Sequence, residues 1–189
     1  TGVYGQSLCP GILKSAESAV GFCQATGFEA RFETRLMSLD LPRFRPPIDR
    51  RFMQVRRTVE VHHAYDPVPH DWWEACKLGV LERVVFELVP RGGGEAQARA
   101  LFWYHEPMYR SISGGTVGLV NVTSEPDARG QGWATFLLAE ALKHLAGTGF
   151  QQVTSLCRAS NLPVQGLLKK LGFREENQGI VFRKLLPAE

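Results

Sequence analysis

The densest chemistry in this sequence lies at Arg129-Gly130-Gln131-Gly132-Trp133-Ala134. Ahead of it, Val117, Leu119, Val120 and Val122 are apolar and largely β-branched, which suits a strand over 116–123. Behind it, Ala134, Leu137, Leu138, Ala141, Leu142 and Leu145 recur at spacings of three and four and predict a helix from Gln131 to Ala146. A glycine turn between a strand and a helix start is an anion site in outline. The first helical turn leaves N–H groups without intrahelical partners, and the helix dipole adds positive potential at the same place. Gly130 and Gly132 let an anion approach the backbone closely. Arg129 adds a fork of donors for phosphate oxygens. The expected ligand group is a phosphate or pyrophosphate; the plain alternative is a turn with a surface arginine. The turn is not a P-loop, because no Gly-Lys-Ser/Thr follows. It also fails the G-x-G-x-x-G spacing of dinucleotide folds, since position 135 is threonine.

Other residues invite chemistry and have simpler readings. His62 and His63 point to opposite faces of a strand and cannot share one metal ion. Trp72-Trp73 line a cleft or pack a short helix. Lys169 and Lys170 reach a phosphate or are solvated helix lysines. Ser160 and Asn161 suit a helix N-cap. The four cysteines, Cys9, Cys23, Cys76 and Cys157, form no C-x-x-C pair and no zinc-ligand spacing. They read as reduced, mostly buried thiols, and no metal site is expected.

The elements that must position the turn are those of a mixed α/β (α+β) domain. Strands are expected over 58–63, 81–89 and 97–105, with a turn at Arg91-Gly-Gly-Gly-Glu95. A short helix is expected over 69–78 and a looser stretch over 108–115. After the central helix, Gly147 and Gly149 end it. A strand over 152–157 and a second helix over 162–171 follow. Gly172 then breaks the chain before a final strand pair. Strand, helix, strand, helix with short connections argues for parallel pairing in this half.

The 189 residues carry 22 Lys+Arg against 19 Asp+Glu, a formal net charge of +3. That suits an anionic ligand and is far from the balance of a nucleic-acid binder. No apolar run reaches the ~18 residues of a membrane helix, and no signal peptide is recognisable; a cytoplasmic setting is expected. A weak internal repeat relates 19–41 to 164–186, with Gly27-Phe28 aligned on Gly172-Phe173. Each copy reads as a short helix, a Gly-Phe break and a strand pair. Residues 1–45 are therefore expected to be the C-terminal remnant of a first repeat, 46–57 a Pro/Arg-rich linker and 58–189 a complete domain. Pro46-Pro47 forbids regular helix there. The six arginines of 43–57 read as a solvated connector paired with neighbouring acids, and no aromatic stacking pattern accompanies them.

The pattern R-x-x-G-x-A at Arg129 to Ala134, after a β-branched strand, resembles the pyrophosphate signature of the GNAT superfamily of acyl-CoA-dependent N-acyltransferases. Downstream, Asn161, Val164, Leu167, Leu168, Gly172 and Phe173 occupy the positions of that family's second motif. The resemblance implies a central mixed sheet with two splayed parallel strands, flanked by helices, and acetyl-CoA lying in the opening. It implies pyrophosphate contact with Arg129 and the amides of Gly130, Gln131, Gly132, Trp133 and Ala134. It places the pantetheine arm along Val122, Thr123 and Ser124, and beside Asn161. The implied reaction is direct attack of a primary amine on the thioester in a ternary complex, without a metal.

The chain departs from that family in two places. Its frequent general-acid tyrosine is Leu168 here. The splayed strand offers Asn121, Thr123 and Ser124 instead of a carboxylate, and Glu125 falls in the turn. Tyr104, His105 and Glu106 at the preceding strand end are the remaining candidates for a general base, with Glu106 the first choice. Cys157 reads as a small buried hydrophobe rather than a nucleophile. A non-catalytic acyl-CoA-binding domain, sensory or structural, is the alternative, and an interaction module using the basic 43–57 segment a third reading. The acceptor and the oligomeric state stay open at this level.

Overall fold

Alternation of apolar and polar residues with β-branched and aromatic enrichment produces one eight-stranded sheet among the described residues. The computed structural model describes residues 11–68, 82–104, 115–128 and 130–185, together with 72, 75 and 76. The strands are β1 (Ile12–Leu13), β2 (Glu29–Asp40), β3 (Val59–Tyr65), β4 (Arg83–Pro90), β5 (Ala98–Tyr104), β6 (Thr116–Ser124), β7 (Gln152–Arg158) and β8 (Arg174–Arg183). The helices are α1 (Glu17–Ala25), α2 (Arg50–Thr58), α3 (Trp133–Gly147) and α4 (Leu162–Lys170). The spatial order is β1-β8-β2-β7-β6-β5-β4-β3. Among the described residues only the β6–β7 pair is parallel, as short β-α-β connectivity requires. The short helix expected over 69–78 lies largely outside the described residues.

One side of the sheet is covered by α3, whose Leu137, Leu138, Leu142 and Leu145 are fully buried. They meet Phe86, Leu88 and Phe102, also fully buried on β4 and β5. Removing so many large side chains from water at about 25 cal/mol per Å² supplies most of the drive for this layer. No helix among the described residues is long and apolar enough to cross a membrane.

Three sequence expectations are corrected. The stretch 46–57 is not irregular throughout, because Arg50–Thr58 is helical. The prolines end two residues before Asp49, whose side chain accepts from the Arg51 N–H and caps the helix. Val55 is buried, and Phe52 meets Phe136 edge-on with ring centroids 5.4 Å apart. The arginines do find acids, with Arg56 on Glu140 at 2.6 Å and Arg43 on Asp40 at 3.3 Å. The strand pair expected after Gly172 is one strand, β8, because β2 offers it a continuous partner from Arg174 to Arg183. Of the three described cysteines only Cys157 is buried; Cys76 is exposed and Cys23 half-buried.

The register carries a local symmetry. At the constant offset that superposes Gly27 on Gly172, α1 superposes on α4 residue for residue. Thr34 of β2 pairs with Gly179 of β8, its own counterpart. Thr34 and Arg35 also pair with Arg158 and Cys157 on β7. Their counterparts, Gly179 and Ile180, pair with Leu13 and Ile12 on β1. The β1-α1-β2 and β7-α4-β8 units are thus related by a local two-fold through the Thr34–Gly179 pair, and β2 lies between β7 and β8.

Candidate functional site

Pairing between β6 and β7 runs from Thr116↔Gln152 to Leu119↔Ser155 and then stops. Beyond that point β6 pairs only with β5, and Leu156 to Arg158 pair only with β2. The two strands part over 120–124 and 156–158. The cause is local: Leu101 pairs with Asn121 but Phe102 with Leu119, so Val120 is an extra residue on β6. Such a bulge bends its strand and ends regular pairing. Ser155 closes the vertex, its hydroxyl donating to the Leu119 carbonyl at 3.3 Å. Past the bulge the backbone of Val122, Thr123 and Ser124 has no sheet partner on its β7 side.

The strand leads through Pro126–Ala128 into the glycine turn. Gly130 and Gly132 both take positive φ, 75° and 85°, which side chains rarely tolerate. The helix starts at Trp133 rather than Gln131, because Gly132 in the left-handed region is its N-cap. It has no side-chain cap, so its first N–H groups open onto the turn. Among the described residues a Cβ on Gly130 would meet nothing within 4 Å, and one on Gly132 would meet the Arg51 guanidinium first, at 3.7 Å. Space, open amides and dipole therefore coincide there, as an anion requires. Gln131 braces the turn by donating from Nε2 to the Asp127 carbonyl at 2.6 Å. Arg129 lies outside the described residues.

On the other strand, Asn161 caps α4 by accepting from the Val164 N–H at 3.3 Å. Gln165, itself buried, donates to the carbonyls of Arg158 and Ala159 at 3.2 and 2.8 Å and fixes the β7–α4 corner. Leu168 is fully buried and Cys157 nearly so. Burial pushes the Cys157 thiol up, so it is no thiolate nucleophile. Tyr104 is buried, stacks on Phe150 at 5.0 Å and pairs with Val117. Val117 is three residues ahead of the bulge, about 10 Å along the strand. His105 and Glu106 lie outside the described residues. A cavity of about 610 Å³ touches Gln152 and the 43–45 segment at the other end of β7, so it is not part of this opening.

The residues missed by sequence reasoning are Asp49 and Arg51. Arg51 hangs over Gly132 from the N-terminus of α2. The local signal was an Asp N-cap ahead of Arg50-Arg51-Phe52. Nothing in the spacing ties residue 51 to residue 132.

Comparison with known proteins agrees with this geometry. The sequence pattern of the Acetyltransferase (GNAT) family matches residues 52–173. No curated protein sequence matches. Among solved structures, a GCN5-related N-acetyltransferase from Sphaerobacter thermophilus superposes with TM-score 0.63 at 17% identity, over 92% of this chain and 57% of that one. A tandem GNAT protein from the clavulanic acid biosynthesis pathway gives TM-score 0.67 at 14% identity, over 93% of this chain and 60% of that one. The glucosamine N-acetyltransferase region of a fungal multi-domain β-N-acetylglucosaminidase gives 0.64 at 14%, over 93% of this chain and 24% of that one. At these identities the likeness is one of fold, and the chain spans less than two thirds of each of these proteins.

Proposed function

The chain belongs to the Acetyltransferase (GNAT) family, and from that premise we propose that it transfers an acetyl group from acetyl-CoA to a primary amine. The observation that supports this best is the parting of β6 from β7 at the Val120 bulge, directly ahead of an uncapped glycine turn. The pyrophosphate would rest on Arg129 and the amides of Gly130, Gln131, Gly132, Trp133 and Ala134. The pantetheine arm would add to the free edge of β6 at Val122, Thr123 and Ser124, with Asn161 across the opening. When bound, acetyl-CoA supplies the thioester. A neutral amine adds to its carbonyl carbon, and the oxyanion formed is held by backbone N–H of the bulged strand. Collapse breaks the C–S bond, releasing CoA thiolate and leaving the amide. The ammonium proton goes to a general base, assigned to Glu106 beyond the end of β5. Water protonates the thiolate, because Leu168 has no proton to give.

The buried Leu168 and the lack of a carboxylate on β6 favour a second reading, an acyl-CoA-binding domain without catalysis. CoA release with any amine of a screened panel excludes it, and Glu106→Gln then lowers that rate and flattens its pH profile. Residues 1–45 are proposed as the closing unit of a first repeat, 46–57 as the connector that includes most of α2, and 58–189 as the second repeat. The local two-fold supports this division.

Thermal-shift titration with acetyl-CoA tests the cofactor assignment. Ligand at ~100 times Kd stabilises by about 2.7 kcal/mol, roughly 5–10 °C for a chain of this size. Gly132→Glu, which puts a charged side chain on a positive-φ residue inside the turn, abolishes the shift. No shift in the wild type at millimolar acetyl-CoA overturns both readings.

A further inference from the structure

We propose that Arg51, contributed by the connector helix α2, closes over the cofactor pyrophosphate from the side opposite the turn amides. The inference rests on the cofactor reading above and adds to it a ligand from outside the sheet-and-turn core.

The geometry carries it. The Arg51 Cζ stands 3.7 Å from the point a Cβ on Gly132 would occupy, with Nε and Nη1 each at 3.9 Å. These are the three heavy atoms nearest to that point among the described residues. The guanidinium is held along one edge: Nε donates to Asp49 Oδ1 at 3.1 Å and Nη2 to Asp49 Oδ2 at 2.8 Å. Nη1 takes part in neither bond and stands as near to Gly132 as Nε does. A guanidinium gripped along one edge presents its remaining donors in a fixed direction, which suits two phosphate oxygens better than a free lysine would.

Asp49 is itself fixed twice more. It accepts from the Arg51 N–H at 3.0 Å as the cap of α2, and from Lys170 Nζ at 3.0 Å on α4. The Arg51 and Lys170 contacts hold its carboxyl well below the usual carboxylate range, so it stays charged at any working pH. The cluster therefore spans from the N-terminus of α3 to the C-terminus of α4 and sums to one positive charge. That is the charge a pyrophosphate passing between these helices would meet. Asp49 is a positioning residue here, and Arg51 the contact.

Isothermal titration of the full chain with acetyl-CoA tests this, beside Arg57→Ala, an exposed arginine on the same helix, as control. One charge-assisted contact to phosphate is lost in Arg51→Ala, so affinity falls about tenfold or more. Arg51→Lys recovers only part of it, while Arg57→Ala stays within about twofold. The melting temperatures of the ligand-free proteins stay together. Acetyl-dephospho-CoA, which keeps the pyrophosphate and lacks the 3′-phosphate, shows the same loss in Arg51→Ala. Equal affinities for Arg51→Ala and Arg57→Ala, with Gly132→Glu still abolishing binding, overturn the role of Arg51 and leave the cofactor site standing. A loss confined to acetyl-CoA moves Arg51 to the 3′-phosphate and overturns the pyrophosphate assignment. Absence of binding in the wild type removes the cofactor reading, and this inference with it.

Discussion

The units β1-α1-β2 and β7-α4-β8 have the same elements, the same lengths of helix and the same pairing about a local two-fold, yet their helices sit in different surroundings. On α4, Leu168 is fully buried and Gln165 bolts the helix to the end of β7. The counterparts on α1 are Cys23, half-buried, and Val20, which has no polar group to offer. Phe173 is buried behind α4, while its counterpart Phe28 is 36% exposed. No residue of α1 is buried at all. Local sequence is therefore enough to make the helix and the strand twice. What makes one copy part of a site is the α3 layer and the parted strands beside it. Strand β2 is the exception to this inequality: Met37 and Leu39 lie in the same core as the side chains of α3, followed by Leu41 and Phe44.

The most drastic way to break the comparison is to remove the weaker unit. A chain beginning at residue 46 loses β2, and with it the backbone partner of both β7 and β8. Two long edges would then stand unpaired, a template for aggregation, and four core side chains would be gone. The expected result is an aggregated or molten product by size exclusion and near-UV dichroism. A truncated chain that is monomeric and binds acetyl-CoA like the wild type would show that the two units are independent.

Paired core truncations measure the inequality itself. Leu168→Ala leaves a cavity beneath the opening and costs about 2–5 kcal/mol, a fall of roughly 5–20 °C in Tm. Cys23→Ala, at the same repeat position, costs less than about 1 kcal/mol. Similar losses at both positions would mean that α1 is covered in solution by something the sheet order does not supply.

Legibility follows the same division between local and distant causes. Strands β3 to β7 and helices α3 and α4 lie within about two residues of their sequence expectations, because alternation and three-four spacing record which face is buried. The turn was legible because Gly130 and Gly132 are residues chosen by backbone torsion. Insertion of β2 between β7 and β8 was not, since antiparallel pairing across more than a hundred residues leaves no local mark. The polar run Glu175 to Gly179 looks like a turn and is extended only because β2 binds it. There Arg35 grips Glu175 through Nη1 at 2.7 and 2.8 Å, and bonds from Gln178 and Arg35 hold that carboxyl below its usual range. Helix α2 was hidden by Pro46-Pro47 and its arginines. Its apolar face is only Phe52 and Val55, three residues apart, and Arg51 acquires its place over Gly132 through that packing.

The caps give a finer test of whether the units differ in backbone or only in side chain. Ala16 and Asn161 are counterparts with nearly the same torsions, φ −89°, ψ 65° and φ −86°, ψ 70°. Asn161 caps; Ala16 cannot. Asn161→Ala should cost about 1 kcal/mol, about 2–4 °C in Tm. A loss of acetyl-CoA affinity in the same variant, beyond what Gln165→Leu gives as a second way of loosening the corner, separates a cofactor contact from a cap.

The converse substitution, Ala16→Asn, has the smallest effect and bears most directly on the local two-fold. The backbone is already in place, so an asparagine there should accept from Ala19 as Asn161 accepts from Val164. The gain is limited, because the Ala19 N–H already donates to the Ala16 carbonyl at 3.0 Å. The side chain would share that donor rather than rescue an orphan, which puts the gain at the low end of cap energies, about 0.5 kcal/mol. That is a rise of roughly 1–2 °C, with acetyl-CoA affinity unchanged because α1 does not border the opening. A gain as large as the loss in Asn161→Ala would make the two helix starts energetically equivalent. A destabilised Ala16→Asn would mean that matching torsions hide different surroundings even at the first residue of the helix, and the local two-fold would then hold for the strands alone.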